Sequence, residues 1–225
     1  MKKYIEKYLV YIFGLYLLSV GIVLIVKSNL GTTPISSVNY VMSLNTPLSL
    51  GTWTFLFNML LVVGQFWLIR GNTRKRDVLE IMLQVPFSFL FAFFIDINMM
   101  ALDGFSPVNY FSSVLIMLMG CLVQSIGVVF ELKPRVSMMS AEAFVNYASH
   151  RYGLEFGPLK VKFDVTLVAM AIIISLLFTG KVEGVREGTV IAALLVGHIV
   201  RFLSGRVITR RNLQRIDPRR LRRSN

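Results

Sequence analysis

Charge is scarce in this chain. Charged residues fill 16% of its 225 positions, against roughly 25% in an ordinary soluble domain. With 55% hydrophobic residues and a mean hydropathy of +0.64, there is too little charge to cover a water-facing surface, which excludes a conventional soluble globule. Acidic residues are fewest, 12 against 24 basic ones, for a net charge of +12. Cysteine occurs once, as Cys121 in an apolar run, so there is no intrachain disulfide and no evidence on redox compartment. No Cys/His cluster has metal-ligand spacing, and neither H-E-x-x-H, G-x-x-x-x-G-K-[ST] nor a nucleophile elbow is found. No resident metal, no cofactor and no ATP-driven transport by this chain alone are therefore expected. Aromatics are plentiful, with 17 Phe, 8 Tyr and 2 Trp, which argues against a disordered basic chain.

The excess positive charge is confined to three places. Residues 1–7 carry +2, residues 70–77 carry +3, and residues 205–225 carry eight arginines against one aspartate. The remainder is balanced at nine cations and nine anions. Charge gathered at the termini and one loop is the positive-inside signature of a multi-span membrane protein, not the basic face of a nucleic-acid binder. No nucleic-acid partner is expected. The uncharged stretch 8–26 behind Lys2, Lys3 and Lys7 is 19 residues long with no small-x-small site after it, so it is expected to be the first span and not a cleaved signal.

Six segments approach the roughly 20 apolar residues that cross a bilayer: 8–26, 50–69, 78–97, 108–130, 159–179 and 188–203. Lys160, Lys162 and Asp164 open the fifth and Arg201 closes the sixth, positions from which long cations reach the headgroups. Pro86 is expected to bend the third. Two stretches, 32–49 and 138–155, are too short or too polar to cross. The first holds T-T-P-I-S-S-V-N-Y-V-M-S, with Pro34 suited to a first helical turn. The second holds M-M-S-A-E-A-F-V-N-Y-A-S-H, with Ser140 as expected N-cap. Both are read as short helices, re-entrant or interfacial. Six spans with both termini cytoplasmic put Arg70, Arg74, Lys75, Arg76, Lys133, Arg135, Arg151 and the Arg-rich tail on one side. The opposite side keeps Lys27, Lys181 and Arg186, and its loop with Asp96 and Asp103 has no cation. Six spans also leave no length for a soluble catalytic domain, so an enzyme is not expected.

The chain matches itself without gaps at a shift of 106 residues: nine of the 43 positions from 19 to 61 are identical, among them Gly21 with Gly127, Lys27 with Lys133 and Gly51 with Gly157. The expected architecture is all-α and polytopic: a single membrane domain of two three-helix repeats, 8–97 and 108–204, each with one short helix, followed by the basic tail 205–225. Three spans per repeat turn the second upside down relative to the first, an arrangement that places transporter sites near the midplane. The same register sets Asn58 on Asp164 and Ser36 on Glu142. These four side chains are expected to converge on a polar site, because an ionisable group at membrane depth is costly and by default functional. Lys160, one turn before Asp164, is its expected partner. The bland alternatives are an intrahelical Lys160–Asp164 pair near the span's end and a water-facing Glu142. Arg186 and Glu187, in G-V-R-E-G-T, are candidates for solute contact or for pairing with each other, the second more readily, with Thr189 capping the last helix. Glu131 and Lys133 are expected to form an interfacial pair. Asn39 and Gln84 are expected to hold helices together.

The segments K-S-N-L-G-T-T-P-I-S-S-V-N-Y-V-M-S, P-L-S-L-G-T-W-T-F-L-F-N, E-F-G-P-L-K-V-K-F-D-V and above all G-V-R-E-G-T-V-I-A-A-L-L-V-G resemble the YczE/YyaS/YitT group of bacterial integral membrane proteins. The likeness spans residues 19–203 and implies a bacterial cytoplasmic-membrane protein of permease type. It supplies no substrate.

The function expected is secondary transport or facilitation of a small polar or charged metabolite, with proton coupling through Glu142 or Asp164. The alternative is a non-transporting scaffold or regulator that uses the tail from Arg210 to Asn225 on anionic lipid or an acidic partner. Partners on the first reading are the solute or proton and membrane lipids, and the small-residue face of the last span permits a homodimer.

Overall fold

A computed structural model describes residues 2–70, 75–134 and 136–207. The expected basic tail 205–225 lies outside them from residue 208 onward. Among the described residues there are eight α-helices and no strand: α1 Lys2–Lys27, α2 Ser37–Asn45, α3 Leu50–Ile69, α4 Lys75–Ala101, α5 Tyr110–Leu132, α6 Ser140–Tyr152, α7 Phe156–Thr179 and α8 Glu187–Val207. A 3-10 turn, Pro34–Ser36, precedes α2, with Pro34 in its first turn. Six helices, α1, α3, α4, α5, α7 and α8, are long and apolar enough to cross a bilayer. At 9 and 13 residues, α2 and α6 are too short to do so.

Four boundaries differ from those expected. Asp96 lies inside α4, which runs on through Pro86 to Ala101. Ser140 is the first helical residue of α6, while Met139 holds the N-cap position with no side-chain bond. The Ser140 hydroxyl instead sits 3.2 Å from that of Ser88 on α4. Glu131 does not pair with Lys133 at an interface: it is buried, and Lys133 lies over the Phe130 ring. Thr189, expected as a cap, is in the third position of α8, where its hydroxyl receives the Arg186 amide at 3.4 Å.

The most extensive helix contact is between α1 and α5, which run antiparallel with backbones nearly touching. A Cβ built on Gly14 would lie 2.6 Å from the Glu131 nitrogen, and one on Gly21 would lie 2.5 Å from that of Gln124. Across the same contact a Cβ on Gly120 would lie 2.9 Å from the Ile25 nitrogen, and one on Gly127 would lie 2.6 Å from that of Leu18. Small residues are what allow such approach where lipid removes the hydrophobic drive for helix pairing. Each pair maps onto the other at the 106-residue shift: 14 and 131 become 120 and 25, and 21 and 124 become 127 and 18.

This crossing fixes where the helices stop. Gly14 lies about 18 Å along α1 at 1.5 Å per residue, so α5, ending one residue past Glu131, terminates opposite the middle of α1. By the same token α1 ends opposite the middle of α5. The segments after Lys27 and after Leu132 therefore each leave beside the flank of the other helix, about 17 Å apart along the pair from Gly14 to Ile25 at 1.5 Å per residue, and their backbone groups need partners from elsewhere in the chain. The first of these segments is satisfied by the far end of the chain. Gly188 donates its amide to the Leu30 carbonyl at 2.9 Å, Thr32 donates its amide to the Thr189 hydroxyl at 3.2 Å, and Arg186 donates to the Asn29 carbonyl at 3.2 Å. Gly188 has to be glycine here, because a Cβ would meet the Leu30 oxygen at 2.5 Å. The second segment is held by the Met139 amide on Glu131 Oε1 at 3.3 Å and by Gln65, which donates to the Ser140 carbonyl at 3.2 Å.

The remaining helices flank this pair. Helix α4 lies along α1, with Phe87 edge-on to Tyr11 and Phe94 edge-on to Tyr16, and also packs closely on α3. Helix α8 lies along α5. It does not repeat the second contact: α8 barely touches α7, which packs mainly on α2, α6 and the 3-10 turn.

Candidate functional site

A cavity of about 410 Å³ opens where the two segments after α1 and α5 and their short helices meet. Five of the seven site residues expected from sequence line it and two do not. Ser36 and Glu142, in the first turns after the two broken ends, line it, as do Asn58 on α3 and Lys160 and Asp164 on α7. Arg186 and Glu187 do not. Their side chains are about half exposed and lie 3.4 Å from each other at the mouth of α8.

The lining respects the internal register. Leu18 and Gln124, Ile22 and Val128, Thr33 and Met139, Ile35 and Ala141, Ser36 and Glu142, Thr54 and Lys160, and Asn58 and Asp164 all face the cavity, each pair 106 residues apart. Neutral groups of the first half thus face charged groups of the second around one space.

Lys160 Nζ sits 2.5 Å from Asp164 Oδ1, with side chains 19% and 27% exposed. The i, i+4 spacing on α7 places them on one face. This pair is the bland alternative considered above, yet it lies in the cavity wall. With Lys160 matched by Asp164, two carboxyls remain. Glu131 is 4% exposed, and its described hydrogen bond is the Met139 amide. Glu142 belongs to α6, outside the six spans. Burial raises its carboxyl above the ordinary glutamate range, the Lys160 ammonium draws it part of the way back, and nearby Asp164 opposes that pull. Held this way, a carboxyl is able to exchange a proton nearer neutrality than an exposed glutamate does.

Two neutral groups in the wall lack partners among the described residues. Asn58 Nδ2 and Gln124 Oε1 are buried with no hydrogen bond, on side chains 5% and 8% exposed. A buried amide left unpaired costs about 1–3 kcal/mol, so these atoms mark a place for a polar ligand group or water. Asn39 also lines the cavity and reaches the Thr54 hydroxyl at 3.5 Å. Gln84 is purely a helix fastener: its amide and that of Gln65 exchange two hydrogen bonds of 2.8 and 2.9 Å. Among the described residues no three His, Cys, Asp or Glu side chains are arranged to hold a metal ion.

Sequence reasoning missed Glu131 and Gln124. A signal was present: Gln124, Val128 and Glu131 fall at i, i+4 and i+7, a single stripe of α5. The stripe was hidden because a residue near the end of an apolar run is expected at the membrane surface, whereas α5 stops halfway down its neighbour.

Six apolar helices surrounding a largely apolar cavity with three carboxyls and one ammonium group in its wall define a multi-pass helical membrane protein. Residues 5–205 match the family of unknown function DUF6198, and the chain belongs to that family. No curated protein and no solved structure matches it.

Proposed function

We propose that this protein is a secondary transporter or facilitator of a small polar or charged solute, with a preference for cations. The observation that carries this reading is the cavity between the two short helices, where residues 106 apart face each other and carboxyls outnumber ammonium groups three to one. On this reading the halves are inverted repeats, supported by the reciprocal glycine contacts of α1 with α5 and by the paired lining. Segments 28–36 and 133–139 are then re-entrant, since irregular backbone at membrane depth is tolerated where it lines a cavity. Glu142 and Glu131 attract the cationic group, Asn58 and Gln124 meet its polar atoms, and a proton on Glu142 supplies the coupling. The charge distribution supports a cytoplasmic location for both termini, and the likeness to the YczE/YyaS/YitT group points to a bacterial cytoplasmic membrane.

The test is flux. Purified protein in liposomes loaded with a pH-sensitive dye is challenged with a panel of small amines and quaternary ammonium ions. Saturable uptake of at least one is expected. Glu142→Gln and Asp164→Asn should each lower it by about 100-fold or more, the scale set by breaking a buried charge arrangement. Arg186→Ala should leave it unchanged. Undiminished flux in both carboxyl variants, or none for any cation in the panel, would overturn the assignment.

A further inference from the structure

The cavity is not closed on the side of α7 and α8. Its wall there is formed by Phe156 at the start of α7 and by Ala193, Gly197 and Val200 on α8. Ala193 and Gly197 are also exposed, so no other part of the described chain covers them on this side. In the first half α3 and α4 shut the equivalent side. There a Cβ on Gly51 would run into Asp96 of α4, whereas Gly157, 106 residues on, and Gly197 have nothing within 4 Å. With α7 and α8 barely in contact, a slot lined by apolar and small residues leads from the carboxyls directly to the hydrocarbon around the protein.

We infer that the ligand of this site is an amphipathic cation that enters sideways from the bilayer, its charged head among Glu131, Glu142 and Asn58 and its alkyl tail in the slot between α7 and α8. The inference rests on the cation site proposed above and adds the tail and the route. Three observations select this occupant. The wall holds three carboxyls, Glu131, Glu142 and Asp164, against the single ammonium of Lys160, so the charge it gains when a carboxyl gives up its proton is negative, which disfavours anionic lipids and fatty acids. The unpartnered Asn58 and Gln124 amides belong to α3 and α5 and not to the two helices that flank the slot, so they are available to a head group. On α8 the slot is lined by Ala193, Gly197 and Val200, with no polar side chain, while on α7 Lys160 and Asp164 follow Phe156 along one face, so an alkyl tail is suited to the α8 side. A second copy of this protein covering the slot is the rival occupant, and the experiment separates the two.

The experiment is photolabelling in lipid nanodiscs that hold one copy of the full chain, with a dodecyltrimethylammonium probe bearing a diazirine at the end of its tail. Adducts mapped by mass spectrometry are expected on Phe156, Ala193, Gly197 or Val200. Unlabelled dodecyltrimethylammonium should compete at least about tenfold better than dodecyl sulfate or dodecanol at equal mole fraction in the bilayer, a difference of one charge-assisted contact. Gly197→Leu and Gly157→Leu, both in open space, should reduce labelling in the slot. Adducts spread evenly over all lipid-facing helices would overturn the inference, as would slot labelling blocked only when two copies share a disc. If tetramethylammonium competes as well as the dodecyl compound and the slot is unlabelled, the lateral route fails while the carboxyl site stands. If the slot is labelled equally in Glu142→Gln and wild type, the head-group site fails while the slot stands.

Discussion

In the first half of the chain α3 and α4 are joined at two levels: the Gln65–Gln84 amide pair, and Asp96 of α4, which takes the Gly51 amide at 2.8 Å and the Ser49 hydroxyl at 2.7 Å. A carboxylate at the start of α3 also suits the positive end of that helix. In the second half α7 and α8 have neither fastening. Position 171, which matches Gln65 in register, is alanine, and Gly157, which matches Gly51, meets no carboxylate. The halves share a backbone plan and differ in what holds their outer helices. Charge sits in the loose half, at Glu142, Lys160 and Asp164, and neutral counterparts in the tight half. The difference teaches that a duplicated plan leaves one copy free to act as frame while the other carries the chemistry and the opening.

The comparison is broken most severely at the shared contact between α1 and α5. Gly21→Leu forces a side chain into the backbone of Gln124 and should abolish recovery of folded protein in detergent, since overpacking costs 1–3 kcal/mol or more even where side chains are able to yield. Gly157→Leu should be recovered at wild-type levels. Equal loss from the two would remove the distinction between a tight and a loose half. Next in size is an exchange of the charged register. Asn58→Asp combined with Asp164→Asn moves one carboxyl to its matched position and leaves Lys160 without its neighbour. Flux should recover partly from the Asp164→Asn level yet remain about tenfold below wild type, since the separated pair no longer balances. Full recovery would mean that the halves are interchangeable at this site. The smallest effect concerns the fastening of α3 to α4. Gln65→Leu leaves the buried Gln84 amide unpaired and should lower stability by about 1–3 kcal/mol, and the double variant Gln65→Leu/Gln84→Leu should regain most of it. Thermal unfolding in detergent reads both, and a double variant weaker than the single would show that the amide pair is not the fastening.

The spans were legible because hydropathy and charge act over whole helices: the expected 50–69 matches α3 and the expected 159–179 falls inside α7. Ser36, Asn58, Glu142 and Asp164 were legible as a group because the 106-residue register pairs them before any contact is known. What could not be read depends on heights and gaps. Glu131 was assigned to the surface because sequence does not say that Gly14 and Gly120 let two helices overlap for only part of their length. The open side of α7 and α8 was equally hidden, since a helix facing lipid and one facing another helix are both apolar and show no contrast in period. Asp96 was taken for a loop residue because a carboxylate at the end of an apolar run resembles a boundary, whereas its task is to cap the neighbouring helix.

The segment that follows α1 has its backbone completed by Gly188 and Thr189, the Thr32–Thr189 bond joining residues 157 apart. During synthesis this places the longest wait at the start of the chain. The turn after Lys27 is among the earliest parts to reach the membrane, and the groups that satisfy it are made only with the sixth span. On the proposed re-entrant reading, a ribosome stalled before Gly188 would leave this polar break open in a protein with five of its six spans made. Quality control that senses unsatisfied polar backbone in the bilayer would therefore find truncated chains at their beginning and not at their cut end.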